Sequence, residues 1–217
     1  MNKKHALRLF IGAYALALAG LLLFSLYSFV SDNLMRATGA LETREYTLDT
    51  LTLQDFTQTG ENTAVTTSVD PQLLINDFNA RGTMLRVDMQ FDQFPGEVSL
   101  YYTRGEEEFS LEQRLWAKQK NDGVYEFILP RGKISRLRID PSNFINVTMQ
   151  INSFTVNPQR SFGSYFAYSG ETLFNLAVWP PLAAAALAFF YTAFFSKKLQ
   201  DTIAVNFSNA KFKKKED

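Results

Sequence analysis

Alternating apolar and polar residues run through the middle of the chain and predict β-strands. In Met84–Phe91 every second residue is apolar, and the same period of two recurs in Glu97–Thr103, Val124–Leu129, Ile134–Asp140 and Ile145–Val156. This alternation is typical of strands with one buried face. Such runs at intervals of roughly ten residues, with no long amphipathic helix between them, predict a mainly β protein with an antiparallel β-sandwich at residues 46–157.

Two breaks in the alternation predict irregular backbone within this sandwich. In Ile145–Val156 the apolar face resumes one residue late, after Asn152 and Ser153, which predicts a β-bulge. Tyr46–Leu53 is predicted as a strand with a similar slip between Leu48 and Leu51. The large residues expected to fill the core are Phe91, Tyr102, Trp116, Phe127 and Phe154.

Two uncharged apolar stretches lie on either side of the predicted sandwich. Leu9–Val30 would reach about 33 Å as a helix, which is enough to cross a hydrocarbon core of ~30 Å. A cleaved signal peptide is the alternative, but its apolar part usually ends after about 7–15 residues. The second stretch is Leu173–Phe195, which contains Pro180 and Pro181. Both stretches therefore predict transmembrane helices, with the bilayer as their surroundings.

Charge is segregated along the chain and predicts its orientation. Residues 1–30 carry three basic residues and no acid, and residues 196–217 carry six Lys against three acids. Residues 31–172 hold 13 Lys and Arg against 19 Asp and Glu. Basic residues favour the cytoplasmic side. We therefore predict a two-pass cell-membrane protein, divided into a cytoplasmic N-terminus (1–8), a first span (9–30), a connector (31–45), an extracytoplasmic sandwich (46–157), a connector (158–172), a second span (173–195) and a basic cytoplasmic tail (196–217).

Composition narrows the classes of function. The acidic middle argues against nucleic acid, which needs a basic surface. The chain has no Cys, which excludes thiolate sites and disulfides, and His5 is its only histidine. The sequence contains no recognisable catalytic group or cofactor motif, and although Asp70, Asp77 and Asp140 are candidate Ca²⁺ ligands, their spacing is not specific for a metal. Glu106-Glu107-Glu108 resembles a solvated loop more than a glycosidase carboxylate pair. The chain is therefore expected not to be an enzyme.

Two short motifs and two aromatic residues are the candidate binding groups. Asp70 precedes a proline, and Arg138 and Asp140 share one face of a predicted strand. These three residues either support the scaffold or bind a ligand or partner. Tyr101 points outward if Tyr102 points inward, and Trp116 lies between basic residues. Exposed aromatic rings of this kind pack against sugars, whereas a core or interface position is the alternative.

The order of several motifs resembles a known module. SVDPQLL, MLRVDMQF, VSLYYTRGEEEFS, VYEFILP, SRLRIDPSN and VTMQINSFTV follow one another along the chain. This order is similar to a jelly-roll, carbohydrate-binding-like extracytoplasmic module of bacterial membrane glycosyltransferases and polysaccharide or teichoic-acid assembly proteins. The resemblance covers about half the chain, which has two predicted spans where those relatives have many. It implies a jelly-roll-like fold and an accessory role, without transferase activity.

The first hypothesis is a non-catalytic accessory protein of bacterial cell-envelope polysaccharide synthesis or export. Its sandwich would bind cell-envelope glycan or dock on a polytopic partner, such as a glycosyltransferase or transporter. Small residues at Gly12, Ala15, Ala19 and Gly20 permit its helices to pack closely against others. The alternative is an assembly or regulatory subunit that recognises protein in place of sugar. An envelope hydrolase would need a converging carboxylate pair that the sequence does not reveal.

Overall fold

The computed structural model describes residues 3–105 and 107–195. Glu106 and the predicted tail at 196–217 lie outside the described residues. Contacts divide the chain into two compact units. One combines Met1–Val30 with Ser161–Asp217, and the other is Ser31–Arg160. The first unit is helical, and the second holds the β-sheets.

Two long apolar helices form the first unit. Helix α1 comprises Lys3–Ala37, whose last turns belong to the second unit, and α2 comprises Gly170–Phe195 and continues through both prolines. The Tyr14 hydroxyl donates to the Ala177 carbonyl at 3.0 Å, and the Ser25 and Tyr168 hydroxyls lie 3.1 Å apart, so the helices are antiparallel. In the most apolar stretch of each helix, only 6% of α1 and 11% of α2 is buried inside the protein. Both helices are therefore candidate membrane spans.

Fourteen short strands in the described residues build the second unit. They are β1 (Arg44–Tyr46), β2 (Thr52–Gln54), β3 (Phe56–Gly60), β4 (Thr63–Thr66), β5 (Gln72–Ile75), β6 (Ala80–Arg81), β7 (Met84–Phe91), β8 (Ser99–Thr103), β9 (Arg114–Trp116), β10 (Lys118–Asn121), β11 (Val124–Ile128), β12 (Lys133–Ile134), β13 (Arg136–Asp140) and β14 (Thr148–Val156).

The strands form two principal antiparallel sheets. The first sheet has the order β10-β11-β7-β14-β4-β3, and β1 also pairs with β14. The second sheet has the order β2-β5-β13-β8-β9, while β12 pairs with β6. The chain crosses repeatedly from one sheet to the other, as in double-sheet β-sandwiches. The predicted mainly β antiparallel fold is thus confirmed, and β7 has the predicted bounds.

Apolar residues from both sheets form one core. Phe127 and Phe154 are fully buried, as predicted, and Phe91 and Tyr102 pack against the core while partly exposed. The prediction for Trp116 as a core residue is wrong, because 56% of it is exposed. Phe78, which comes from a stretch without alternation and was not predicted as a core residue, is buried at 1% exposure.

The two predicted irregularities have different outcomes. The pairing of β14 with β7 shifts register between Ile151 and Ser153, which confirms the bulge. The single strand predicted at Tyr46–Leu53 is wrong, because a 3₁₀ helix at Leu48–Thr50 separates β1 from β2. This turn takes the chain from the first sheet to the second, and Leu48 within it and Leu51 directly after it both remain in the core. The apolar slip in the sequence was therefore the signature of a change of sheet.

Candidate functional site

The outer face of the second sheet carries four of the five residues that the sequence singled out, and the fifth, Asp70, reaches it from the loop before β5. Leu100 and Ile139 point into the core, so their neighbours on β8 and β13 point outward. Strand pairing then produces two adjacent rows across the sheet. One row is Arg138, Tyr101 and Arg114, and the other is Asp140, Ser99 and Trp116. We call this surface the outer face.

Arg138 is the centre of an ion network on the outer face. Its Nε lies 2.7 Å from Oδ1 of Asp140 and its Nη2 lies 2.7 Å from Oδ2, so the contact is bidentate. The same Nη2 lies 2.8 Å from Oδ1 of Asp70. Such a fork holds both partners in one orientation. The sequence-distant Asp70 is thereby brought to the strand pair predicted from Arg138 and Asp140.

The pKa values of Arg138 and Asp140 are shifted both by burial and by the charges beside them. Burial raises the pKa of Asp140 above its ordinary value, and the hydrogen bonds and charge of Arg138 oppose that rise. Burial acts to lower the pKa of Arg138, but its hydrogen bond to Asp140 and the charges of Asp140 and Asp70 outweigh burial and leave it raised. Arg138 therefore remains a cation.

Two arginines cover Tyr101, whereas Trp116 stays 56% exposed although Arg114 lies against its ring. The guanidinium of Arg138 lies 4.9 Å from the Tyr101 ring centroid, and that of Arg114 lies 5.6 Å from it. Tyr101 faces outward as predicted, yet only 9% of it is exposed. Arg114 also lies 3.8 Å from the Trp116 ring centroid and pairs with Glu97 at 3.2 Å. Trp116 is therefore the ring that this face offers to a ligand.

Ser99 is a residue of the outer face that the sequence analysis did not select as a binding group. It is 1% exposed, and its Oγ has no hydrogen-bond partner among the described residues. Pairing places it between Asp140 and Trp116. A buried polar group without a partner costs about 1–3 kcal/mol, and because Ser99 is covered, a ligand hydroxyl would recover that cost only if neighbouring side chains moved aside. The signal in the sequence was its position two residues before Tyr101, because residues two apart in a strand share one face.

A polar cleft continues the outer face in the direction of the Arg136–Thr103 pair. Its volume is about 570 Å³, and its lining includes Asn76, Asn79, Glu108, Lys133, Ser135 and Arg136. Arg136 precedes Arg138 by two residues and shares its strand face. The sequence analysis missed this cleft because its residues come from three segments that are distant in the sequence.

The described residues, 3–105 and 107–195, contain no group of three His, Cys, Asp or Glu side chains placed to hold a metal ion. Of the three aspartates considered for Ca²⁺, Asp70 and Asp140 both bind Arg138. Their carboxylates therefore face a fixed cation, and the arrangement suits hydrogen bonding to polar groups of a ligand.

Comparison with known proteins identifies structural relatives only. No protein-family model matches the chain, and no curated protein matches it significantly. One similar structure is a low-affinity xylan-binding module of family 86 from Roseburia intestinalis (14% identity, 54% of this chain, 96% of that chain, TM-score 0.40). Another is a variant of a family 29 carbohydrate-binding module (10% identity, 53% of this chain, 92% of that chain, TM-score 0.36).

A third is a family 6 module from Clostridium stercorarium solved with cellobiose (8% identity, 55% of this chain, 95% of that chain, TM-score 0.28). These comparisons connect the chain to no membrane glycosyltransferase or assembly protein, so that part of the resemblance stays a prediction. All three of these similar structures are carbohydrate-binding modules.

Proposed function

We propose that the chain is a membrane-anchored glycan-binding protein that positions a sugar chain without making or breaking a bond. The observation that supports this function is the outer face, where the exposed ring of Trp116 lies beside Ser99, whose hydroxyl has no partner among the described residues, and beside the Arg138–Asp140 pair. An aromatic ring packs against the apolar face of a sugar. The flanking oxygens and guanidinium nitrogens accept and donate hydrogen bonds to its hydroxyls.

Charge on the outer face favours an uncharged glycan. Two arginines face three carboxylates there, those of Asp70, Asp140 and Glu97, and each carboxylate lies within 3.2 Å of an arginine nitrogen. The positive charges are thus already balanced. A polyanion would have to displace these carboxylates, whereas a neutral polyol can bridge them through its hydroxyls.

The membrane part of the proposal rests on the two helices and on the distribution of charge. Both helices are long and apolar enough to cross a bilayer, and basic residues precede the first. We propose that both termini are cytoplasmic and that the sandwich is extracytoplasmic. A groove of about 700 Å³ lies between the helices, where Gly12, Ala13, Ala17 and Ala183 are part of the lining. Small residues of this kind permit close contact with a helix of a polytopic partner.

This combination suggests an accessory role in bacterial cell-envelope polysaccharide synthesis or export, in which the partner performs the chemistry. The alternative is an assembly or regulatory subunit whose sandwich recognises only protein. The two functions differ in one measurable property, because the first requires that the isolated chain bind a glycan.

Topology can be tested with single cysteines because the chain has none of its own. Glu61 lies in the exposed turn between β3 and β4, and Ser208 lies in the basic tail. We expect a membrane-impermeant maleimide to label Glu61→Cys in intact cells at least about tenfold more than Ser208→Cys, and both equally after lysis. Labelling of Ser208→Cys in intact cells, or a protein soluble without detergent, would contradict the topology.

Glycan binding can be tested with the full chain in lipid nanodiscs by calorimetry against neutral oligosaccharides of one to six units. The Ser99 row and the Thr103 row are about 13 Å apart along the strands, so only an extended ligand reaches both Trp116 and the polar cleft. We expect affinity to rise about tenfold between the disaccharide and the pentasaccharide of the preferred sugar. If no oligosaccharide of the panel bound, the glycan-binding function would be wrong and the alternative, a subunit that recognises protein, would be favoured.

A further inference from the structure

Three loops meet at one end of the sandwich and expose apolar side chains there. They are residues 67–71, 92–98 and 141–147, which we call the distal loop cluster. Val69, Phe94, Phe144 and Ile145 are 66%, 77%, 48% and 51% exposed. Contiguous exposed apolar residues on a soluble domain mark an interaction site more often than isolated ones do.

The cluster lies at the opposite end of the strands from the segment that joins α1. Arg36 donates to the Asn157 carbonyl at 2.8 Å, and the Asn157 N–H donates to Met84 at 2.7 Å, at the beginning of β7. Phe94, an exposed residue of the cluster, follows the other end of β7. Eight strand residues separate these ends by about 26 Å. The apolar cluster therefore points away from the end at which the chain enters the sandwich.

Hydrogen bonds join two of the three loops, residues 92–98 and 141–147, to each other. The Asn143 N–H donates to the Pro95 carbonyl at 3.1 Å, and the Gln93 side chain donates to the Asn146 carbonyl at 2.9 Å. Gly96 has a φ of +80°, and a Cβ there would lie 1.7 Å from Oδ1 of Asn143. The loops are thus interlocked at a position that only glycine permits. A surface ordered before binding loses little conformational entropy when a partner docks.

The charges of the cluster are all negative. Its three loops contain Asp70, Asp92 and Glu97 and no Lys or Arg. Asp70 and Glu97 pair with arginines of the outer face, whereas Asp92 forms no ion pair with any described residue. A hydrogen bond from the Thr148 side chain holds the pKa of Asp92 below its ordinary value, so its charge persists in mildly acidic conditions. The apolar centre is therefore bordered by three carboxylates, of which only Asp92 is not paired with an arginine.

We propose that the distal loop cluster docks a protein partner whose surface offers an apolar pocket edged by Lys or Arg. Apolar centres with polar rims are typical of protein interfaces, and complementary charge selects the partner. An anionic lipid surface attracts basic residues, and this cluster has none. A symmetric contact between two copies would bring the same acidic rims together. The cluster adjoins the outer face, with which it shares Asp70 and Glu97, but its exposed apolar side chains are not part of the sugar-binding face, so the proposal does not depend on glycan binding.

The test uses the full chain in its native membrane with a photocrosslinking amino acid at position 94, 145 or 111. Leu111 is the matched control, because it is 78% exposed and lies in the 3₁₀ helix before β9. We expect positions 94 and 145 to yield at least about tenfold more crosslink than position 111, mapped by mass spectrometry to one protein at an apolar surface containing Lys or Arg. Raising the salt concentration should reduce that yield.

A second pair of variants separates docking from folding. With the crosslinker at position 94, Ile145→Ser should abolish the product and Leu111→Ser should leave it unchanged, while both proteins retain the melting temperature of the parent. Lipid adducts, crosslinks to a second copy, equal yields at all three positions or no product at any of them would each overturn the proposal.

Discussion

Replacing Asn157 with alanine is expected to lower the free energy of unfolding of the sandwich by about 3–5 kcal/mol. Asn157 is 1% exposed, and its Oδ1 accepts a hydrogen bond from the Thr83 N–H at 2.8 Å. Its Nδ2 donates to the carbonyls of Glu42 at 3.0 Å and Arg81 at 2.8 Å. Alanine would leave these buried backbone groups without partners.

The backbone at Asn157 adds a second cost. Its φ of +54° lies in the left-handed region, where alanine is disfavoured by about 1–2 kcal/mol. Asn157→Gly removes the amide without this strain and should be less destabilising than Asn157→Ala by that amount. Asn146 is the matched control, since it has a φ of +58° but is exposed, so Asn146→Ala should cost only the backbone strain.

Urea denaturation of the full chain in micelles, followed by the circular dichroism of the β-sheets, measures these differences. If Asn157→Ala and Asn146→Ala were equally destabilising, the three buried hydrogen bonds would contribute nothing, and the structural role assigned to the amide would be wrong.

Replacing Trp116 with alanine is expected to weaken binding of the preferred oligosaccharide by about thirtyfold, which corresponds to about 2 kcal/mol for loss of a large aromatic contact. Trp116 is 56% exposed and lies directly opposite Ser99. Because its ring is outside the core, the free energy of unfolding should change by less than about 0.5 kcal/mol. Calorimetry measures the affinity, and Trp116→Phe should retain an intermediate value.

Two further variants show whether the lost affinity belongs to the outer face. Phe94→Ala removes a similarly exposed ring from the distal loop cluster and should leave sugar affinity unchanged. Ser99→Ala removes a buried hydroxyl that has no partner among the described residues, so stability should be equal or higher while sugar affinity falls. Unchanged affinity in both Trp116→Ala and Ser99→Ala would refute the sugar-binding face.

The sequence predicted the residues of the face better than it predicted their surroundings. Alternation in β8 and β13 correctly placed Tyr101, Arg138 and Asp140 outward, because side-chain direction in a strand depends on the local backbone. It did not reveal that two arginines cover Tyr101, since Arg114 arrives from β9 through long-range pairing. The uncertainty about Trp116 had the same origin, because a three-residue edge strand is too short for periodicity to show its buried side.

The short strands that the alternation did not predict were missed for one common physical reason. Strands β3, β4 and β5 are four or five residues long, and β6 has two. Their conformation depends on partners distant in the sequence, and β-propensity is weak without that context. The polar cleft and the distal loop cluster were missed because each combines loops that only strand pairing brings together.

For this protein the order of amino acids alone establishes the mainly β middle, two helices apolar enough to span a membrane, and the side of each long strand that faces outward. These properties follow from local backbone geometry and from hydrophobic burial, which act over a few residues. The tertiary arrangement settles which outward residues become neighbours, which ring stays exposed and which loops form a common surface. Those outcomes depend on pairing between residues up to about a hundred positions apart, which no local pattern encodes.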